Sequence, residues 1–335
     1  MRGGQGDNPD RVIAALLRQT PVLAELRELF PAHWETVHEE LRQLAAAADP
    51  AEIAEKLTLA HRAWQLAEPD CRRLAASYRR PAADRCGLLL LRRVALDQYC
   101  RALQRGFAGG GTAGLRDRLL FHLLILPLAT RMRALSCRSH RRVWRLLRNP
   151  AAVSAMLLEA GCYLIPPAEL VQELRRVIGT RRTLEIGAGR GILAGCLRHA
   201  GVDITAVDDQ SWGGTIPIGR EVLPMDGREA LVRFQPQVVL CSWPPPGNFF
   251  EREILAQPSV EMYIAILSRH RYASGDHQAY ARAGGFRCLK AETGPMAAML
   301  LPAETGSVLY LFIRDGGTYT PVEIPAGSPA GGPSA

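Results

Sequence analysis

The residues with the clearest chemical potential are Thr183-Leu184-Glu185-Ile186-Gly187-Ala188-Gly189-Arg190-Gly191, an apolar run that ends in alternating glycines. Glycine has no Cβ, so the backbone here can take positive φ and approach a bound molecule closely. The next residues, Ile192–His199, read as a helix, and the first N–H groups of a helix have no partner within it. A strand, a glycine turn and a helix N-terminus in succession can hold a nucleotide-like ligand at the C-terminal edge of a sheet. Such a turn alone is weak evidence, and a turn that binds nothing is the plain alternative. Acids at the ends of three successive apolar runs strengthen the case. Glu185 closes the strand. The next apolar run, Val202–Val207, ends in Asp208 and Asp209, about 20 residues past the turn, where a carboxylate can take a ribose diol. The run after that closes on Met225-Asp226-Gly227, which puts another acid beside the base of such a ligand. The dinucleotide fingerprint G-x-G-x-x-G fits less well, because Gly191 comes one residue early and Ile192 fills the third glycine's place.

A second group of residues follows the fourth apolar run: Cys241-Ser242-Trp243-Pro244-Pro245-Pro246-Gly247-Asn248-Phe249-Phe250. Paired prolines stiffen the chain and remove N–H groups, leaving carbonyls free to meet a bound amine. Trp243 can stack on a planar molecule, while Ser242 or Asn248 can supply polarity. A rigid loop with Trp243 packed as core is the alternative.

Together the first group resembles the class I methyltransferases that use S-adenosylmethionine (SAM). Their first motif is an acid, a hydrophobic residue and G-x-G-x-G, matched by Glu185-Ile186-Gly187-Ala188-Gly189-Arg190-Gly191. The resemblance implies SAM as cofactor, Asp208 as the ribose acid and Asp226 as the adenine-side acid. It also implies that Tyr163, before the first core helix, runs past the methionine end of SAM; interdomain packing is its other reading. The proline loop resembles the N/D-P-P-Y motif of methyltransferases acting on amino nitrogens. That implies an acceptor loop of Ser242, Trp243, Pro244, Pro245 and Asn248. The sequence departs from the motif twice, with Trp243 in place of Asn or Asp and Pro246 in place of the aromatic. Indole donates a hydrogen bond and accepts none, so it cannot align an amine as a carboxamide does. No general base stands out, and methyl transfer from a sulfonium needs mainly alignment.

Elements that position these residues follow from the patterning. Residues 9–160 read as helix after helix, with Val12, Ile13, Leu16 and Leu17 at helical spacing, a helix start at Asp49-Pro50 and a stop near Gly109–Gly111. A further helix over about Leu115–Arg148 is expected to kink or split at Pro127. From Gly161 short apolar runs alternate with helical stretches: Thr183–Ile186, Val202–Val207, Glu221–Met225, Gln237–Ser242, Val260–Leu267, Phe286–Ala291 and Ser307–Arg314. Alternation of this kind predicts an α/β fold, a seven-stranded, doubly wound, mostly parallel sheet preceded by an all-α N-terminal domain. The expected division is 1–160 helical, 161–316 SAM-binding and 317–335 a disordered Pro/Gly/Ser/Ala tail. Between Asp209 and Glu221 the chain is too broken for a helix, and Trp212 there either covers the adenine or packs on the surface.

The net charge of +8 is almost all arginine, with Lys56 and Lys290 the only lysines. Arg131, Arg133, Arg138, Arg141, Arg142, Arg145 and Arg148 fall in a stretch without acids between Asp117 and Glu159. Such a segment reads as a phosphate-binding face, for a nucleic acid, or as a solvated face pairing with acids of neighbouring helices. Eight scattered cysteines without C-x-x-C spacing argue against zinc and suggest buried thiols in a reducing compartment. The longest apolar run, Leu119–Ala129, is far short of the roughly 20 residues that span a bilayer, and the polar start has no apolar signal region. A cytoplasmic SAM-dependent methyltransferase with an unidentified acceptor is the expectation. A SAM-binding scaffold without catalysis is the alternative that the departed proline motif keeps open.

Overall fold

The computed structural model describes residues 9–18, 21–47, 49–74, 78–107, 112–210 and 217–316. The glycine run 109–111, Trp212 and the tail after 316 lie outside them. The chain forms two compact units, one of Met1–Gln104 with Pro245–Phe249 and His270–Asp276, the other of the remainder.

In the first unit helices form where apolar residues recur every three or four positions. Helix α1 (Pro9–Leu17) buries Val12, Ala15 and Leu16. It is followed by α2 (Leu23–Leu29), α3 (Pro31–Ala47), α4 (Pro50–Leu74) and α5 (Arg80–Phe107). Proline opens both α3 and α4, at the position where a missing N–H costs nothing. Val12, Leu26, Phe30, Trp64, Leu90 and Leu91 share one core. In that core Cys71 and Cys86 form a disulfide, with their Cα atoms 6.2 Å apart. This corrects the reading of all eight cysteines as thiols. A separation of 15 residues carries no motif, and only the packing of α4 on α5 brings the pair together.

The second unit begins with α6 (Leu115–Leu120), a π turn over Phe121–Ile125 and α7 (Leu126–Ala129). Pro127 has no N–H to give, and its ring crowds the carbonyl one turn back, so the preceding turn widens. The helix ends soon after, at Ala129, so the stretch to Arg148 is split near Pro127 as expected. Ser136 caps α8 (Cys137–Trp144) and Asn149 caps α9 (Pro150–Glu159), each side chain accepting a backbone N–H in the first turn. Phe121, Ile125, Val153 and Leu157 pack in the same core as Ile204, Leu240 and Ile264 of the sheet. The strand pattern thus starts near 161, but the compact unit that holds the sheet starts at Arg105.

After α10 (Ala168–Ile178) the expected alternation appears: β1 (Thr183–Ile186), α11 (Ile192–His199), β2 (Ile204–Asp208), β3 (Leu223–Pro224), α12 (Gly227–Phe234), β4 (Val238–Ser242), α13 (Phe250–Ala256), β5 (Met262–Ser268), α14 (His277–Ala281), β6 (Phe286–Ala291), α15 (Gly294–Ala297) and β7 (Ser307–Arg314). The strands make one sheet in the order β3-β2-β1-β4-β5-β7-β6. Only β7 runs antiparallel to its neighbours, β5 and β6. Every residue of β1 and β5 is buried, as expected of parallel strands covered on both faces. Strand order reverses between β1 and β4. In open α/β sheets that switch point, at the C-terminal strand ends, is where ligands bind.

Candidate functional site

Both sequence groups lie at the switch point. The glycine turn leaves β1 and the Trp243 segment leaves β4, its neighbour in the sheet, where Glu185 pairs with Leu240.

In the turn, Gly187, Gly189 and Gly191 all have positive φ, at 68°, 51° and 68°. Space beside Gly187 is open, since a Cβ there would meet nothing within 4 Å. Gly191 is the left-handed N-cap of α11. Its neighbour is Val222, whose methyl would lie 2.7 Å from an added Cβ. The turn is clamped by backbone bonds: Ala188 N–H donates to Val207, and Gly219 N–H donates to the Gly189 carbonyl at 2.9 Å. Gly219 packs so tightly that a Cβ would lie 2.3 Å from the Arg190 carbonyl oxygen.

The acids divide the work. Glu185 is buried, and its Oε2 accepts the Ala194 N–H of the first turn of α11 at 3.0 Å. Burial pushes its carboxyl up to about 8, opposed by that N–H bond. Asp208 accepts the Gly189 N–H on Oδ2 at 2.9 Å and the Gln210 N–H on Oδ1 at 2.8 Å. Burial raises its carboxyl, and the two N–H bonds oppose the rise. Each oxygen keeps a lone pair for a further donor, so Asp208 can take a ribose diol while bracing the turn. Asp226 is exposed two residues past β3 and caps α12, its Oδ1 accepting the Arg228 N–H at 2.8 Å. These residues fit the adenosyl part of SAM: open space at a glycine turn, a braced carboxylate at the end of β2, and an acid at the end of β3.

At the end of β4, Ser242 pairs with Ile266 and is half-buried, as is Trp243. Trp243 has φ of 55°, an uncommon value for a bulky residue. Such strain costs of order 1–3 kcal/mol and persists only where the surroundings over-determine it. Here they do. The Trp243 N–H donates to Ile266 at 2.7 Å, its Nε1–H donates to Ser307 Oγ at 3.2 Å, and Tyr163 stacks on its ring at 5.3 Å between centroids. Ser307 in turn shares a 3.0 Å hydrogen bond with Thr305. Tyr163 and Trp243 are thus brought together, and Pro244 next to them is buried. Pro245 and Asn248 fall in the other unit, where Asn248 Nδ2 donates to the Pro245 carbonyl at 2.8 Å and closes the loop.

Three features have no signal in the sequence. Arg190 Nε donates to the carbonyl of Ala160 at 3.0 Å, tying the turn to the end of α9. The Thr305–Ser307 pair anchors the indole from 64 residues away. A His–Asp pair, which no spacing announces, stands in the first unit: His61 Nε2 lies 2.8 Å from Asp97 Oδ1. Among the described residues no cluster of acids, histidines and cysteines could hold a metal. None of their helices is long and apolar enough to cross a membrane.

No family model matches the chain, and no curated protein matches it. Solved structures similar to it include a SAM-dependent methyltransferase from Archaeoglobus fulgidus, at 12% identity over 44% of this chain and 92% of that one, TM-score 0.30. A mutant of MtNAS aligns at 11% identity over 94% of this chain and 99% of its own, TM-score 0.32. The CurJ carbon methyltransferase aligns at 11% identity over 91% of this chain and 89% of its own, TM-score 0.31.

Proposed function

We propose that this chain is a SAM-dependent methyltransferase. One observation carries the reading: three glycines of positive φ at the switch point, with the Gly189 N–H held by the acid that closes β2. In this reading Glu185, Gly187, Gly189, Gly191, Asp208 and Asp226 hold the adenosyl part. Tyr163, Ser242, Trp243 and Pro244 line the methyl side, with Pro245 and Asn248 continuing the acceptor loop. SAM would supply an electrophilic methyl on a sulfonium whose leaving group is neutral, so the protein's main task is alignment. Trp243, fixed in a strained conformation by three partners, suits that task better than a mobile side chain.

Calorimetry with SAM and with S-adenosylhomocysteine tests the binding, and both should give heat at low-micromolar to submillimolar affinity. Heat with NAD and none with either would overturn it. Transfer is read from the nucleoside released. S-adenosylhomocysteine indicates methyl transfer, whereas methylthioadenosine would mean that a different S–C bond breaks. Binding without release of either would favour a non-catalytic scaffold.

The partner side rests on the arginines. All seven from Arg131 to Arg148 are exposed, and none makes an ion pair among the described residues. Arg141 helps to lower the Glu169 carboxyl, but without direct contact. That weakens support for a face that pairs with neighbouring acids and favours one that meets a polyanion such as a nucleic acid. Binding of a single-stranded RNA oligonucleotide should weaken steeply with salt, and Arg138→Glu with Arg142→Glu should abolish it. Affinity indifferent to salt and to both changes would refute this face.

A further inference from the structure

Between Gly189 and Gly191 stands Arg190, the one cation of the glycine turn. Its backbone is held in place, because the Gly219 N–H donates to the Gly189 carbonyl at 2.9 Å and Gly219 packs on the Arg190 carbonyl. The side chain is half-buried and held as well. Its Nε donates at 3.0 Å to the carbonyl of Ala160, the C-cap of α9. A helix C-terminus carries partial negative charge and suits a guanidinium. That bond uses the inner nitrogen and leaves the outer edge of the fork. Nη1 and Nη2 have no partner among the described residues, and neither is closed off from solvent. A residue that served only to tie the turn to α9 would need one donor, and Arg190 offers two more.

The neighbours of Ala160 show which way the side chain reaches. Cys162 Sγ–H donates to the same carbonyl at 3.9 Å. Burial raises the Cys162 thiol, and the nearby Arg190 guanidinium opposes the rise. Cys162 is followed by Tyr163, whose ring stacks on Trp243. Arg190 thus extends from the turn after β1 toward the Tyr163–Trp243 pair, and all of these residues belong to one compact unit. Asp226 and Asp208 follow or end β3 and β2 on one side of β1, and Trp243 follows β4 on the other. In the proposed reading the base lies at β3 and the ribose at β2, so the rest of the ligand extends across β1 toward β4.

We propose that Arg190 is a specificity-determining residue of this site: its free Nη edge holds the α-carboxylate of the ligand's amino-acid tail, so the site takes the carboxylated ligand in preference to its decarboxylated form. This rests on the SAM reading. Charge decides what the guanidinium meets. The tail of SAM carries a sulfonium, an ammonium and a carboxylate. An unpaired guanidinium repels the two cations and weakens binding, whereas the carboxylate matches its parallel N–H donors. The Ala160 carbonyl fixes the guanidinium before the ligand arrives, so little side-chain freedom is lost on binding.

The test is calorimetry on the full chain with two probes that differ by one group: S-adenosylhomocysteine and its decarboxylated form, S-adenosyl-3-thiopropylamine. Wild type should bind the first roughly tenfold to a hundredfold more tightly, the span of a charge-assisted pair. Arg190→Gln, whose amide can still donate to Ala160, should lose that preference. S-adenosylhomocysteine should weaken by the same factor, and the decarboxylated probe should stay within about threefold. Arg190→Lys should keep part of the preference. Melting curves show that each variant is folded, and the wild-type comparison needs no variant. A wild-type protein that binds both probes equally would overturn the proposal. So would folded Arg190→Gln that keeps the full preference, or that loses affinity for both probes alike, which would make Arg190 a brace of the turn alone. Each of these results leaves the SAM site standing. Failure of SAM and of both probes to bind wild type would instead remove the reading beneath it.

Discussion

Two loops leave neighbouring strands at the same edge of the sheet, and they are built differently. The turn after β1 is made from consecutive residues and clamped by backbone N–H groups to Val207, Gly189 and Asp208. The segment after β4 is held by side chains from far along the chain: Tyr163 against the indole of Trp243, and Ser307 at its Nε1. Its residues Pro245–Phe249 belong to the helical unit. The first design suits a ligand that is always the same, because backbone groups offer one fixed pattern of donors. The second suits a ligand that varies between proteins, because side chains can be exchanged without altering the strand.

The largest expected effect comes from breaking the clamp of the first loop. Asp208→Ala removes the acceptor of two backbone N–H bonds and, in the proposed reading, of the ribose, at roughly 1.5–3 kcal/mol per charge-assisted bond. SAM affinity should fall on the order of a hundredfold or more by calorimetry. Asp209→Ala should change it little, and the reverse ranking would shift the ribose acid by one residue. Gly219→Ala should come next. Its methyl would collide with the Arg190 carbonyl, and overpacking costs about 1–3 kcal/mol. A loss of roughly tenfold to a hundredfold in SAM affinity is expected, with the helical unit's unfolding unchanged.

The second loop should respond in turnover and not in cofactor affinity. Trp243→Ala should reduce methyl transfer about tenfold, since a small misplacement of a reacting group is costly. SAM affinity should stay within about threefold. If the melting temperature falls while turnover per folded molecule is unchanged, the indole is a packing residue and the contrast between the loops fails.

The smallest effect is a slope with pH. Glu185 has an ordinary value of 4.5 and is pushed up to about 8 by burial. Between those values the folded protein holds a proton that the unfolded chain has lost, so stability falls as pH rises from about 4.5 to 8. Glu185→Gln should flatten that part of the melting-temperature profile. A slope as steep in the variant as in wild type would assign it to other groups.

Much of the sheet was legible. Thr183–Ile186, Phe286–Ala291 and Ser307–Arg314 are strands at the expected bounds; the first is buried throughout and reads as a continuous apolar run, whereas Phe286–Ala291, at the sheet edge, keeps two exposed residues. Helix ends were less legible. The helix expected over 115–148 is three pieces with a π turn, since one proline changes the backbone bonding of the turn before it. The compact unit that holds the sheet takes in helices from before residue 161 for a related reason. Helices 115–159 read like those before them, yet they bury Phe121, Val153 and Leu157 in the core of the sheet. Periodicity says that a helix has an apolar face and does not say what covers it.

The sequence by itself determined the fold class and the local geometry of the glycine turn. Glycines, a strand-ending acid and a helix start act through local backbone geometry, and their spacing along the chain is their spacing in space. Only the tertiary structure decided the rest: the strained Trp243 fixed by Tyr163 and Ser307, the Cys71–Cys86 bridge, and the His61–Asp97 pair. These contacts join residues 15 to 80 positions apart. Helix packing and strand order set which distant side chains meet, and no local pattern of residue types records it.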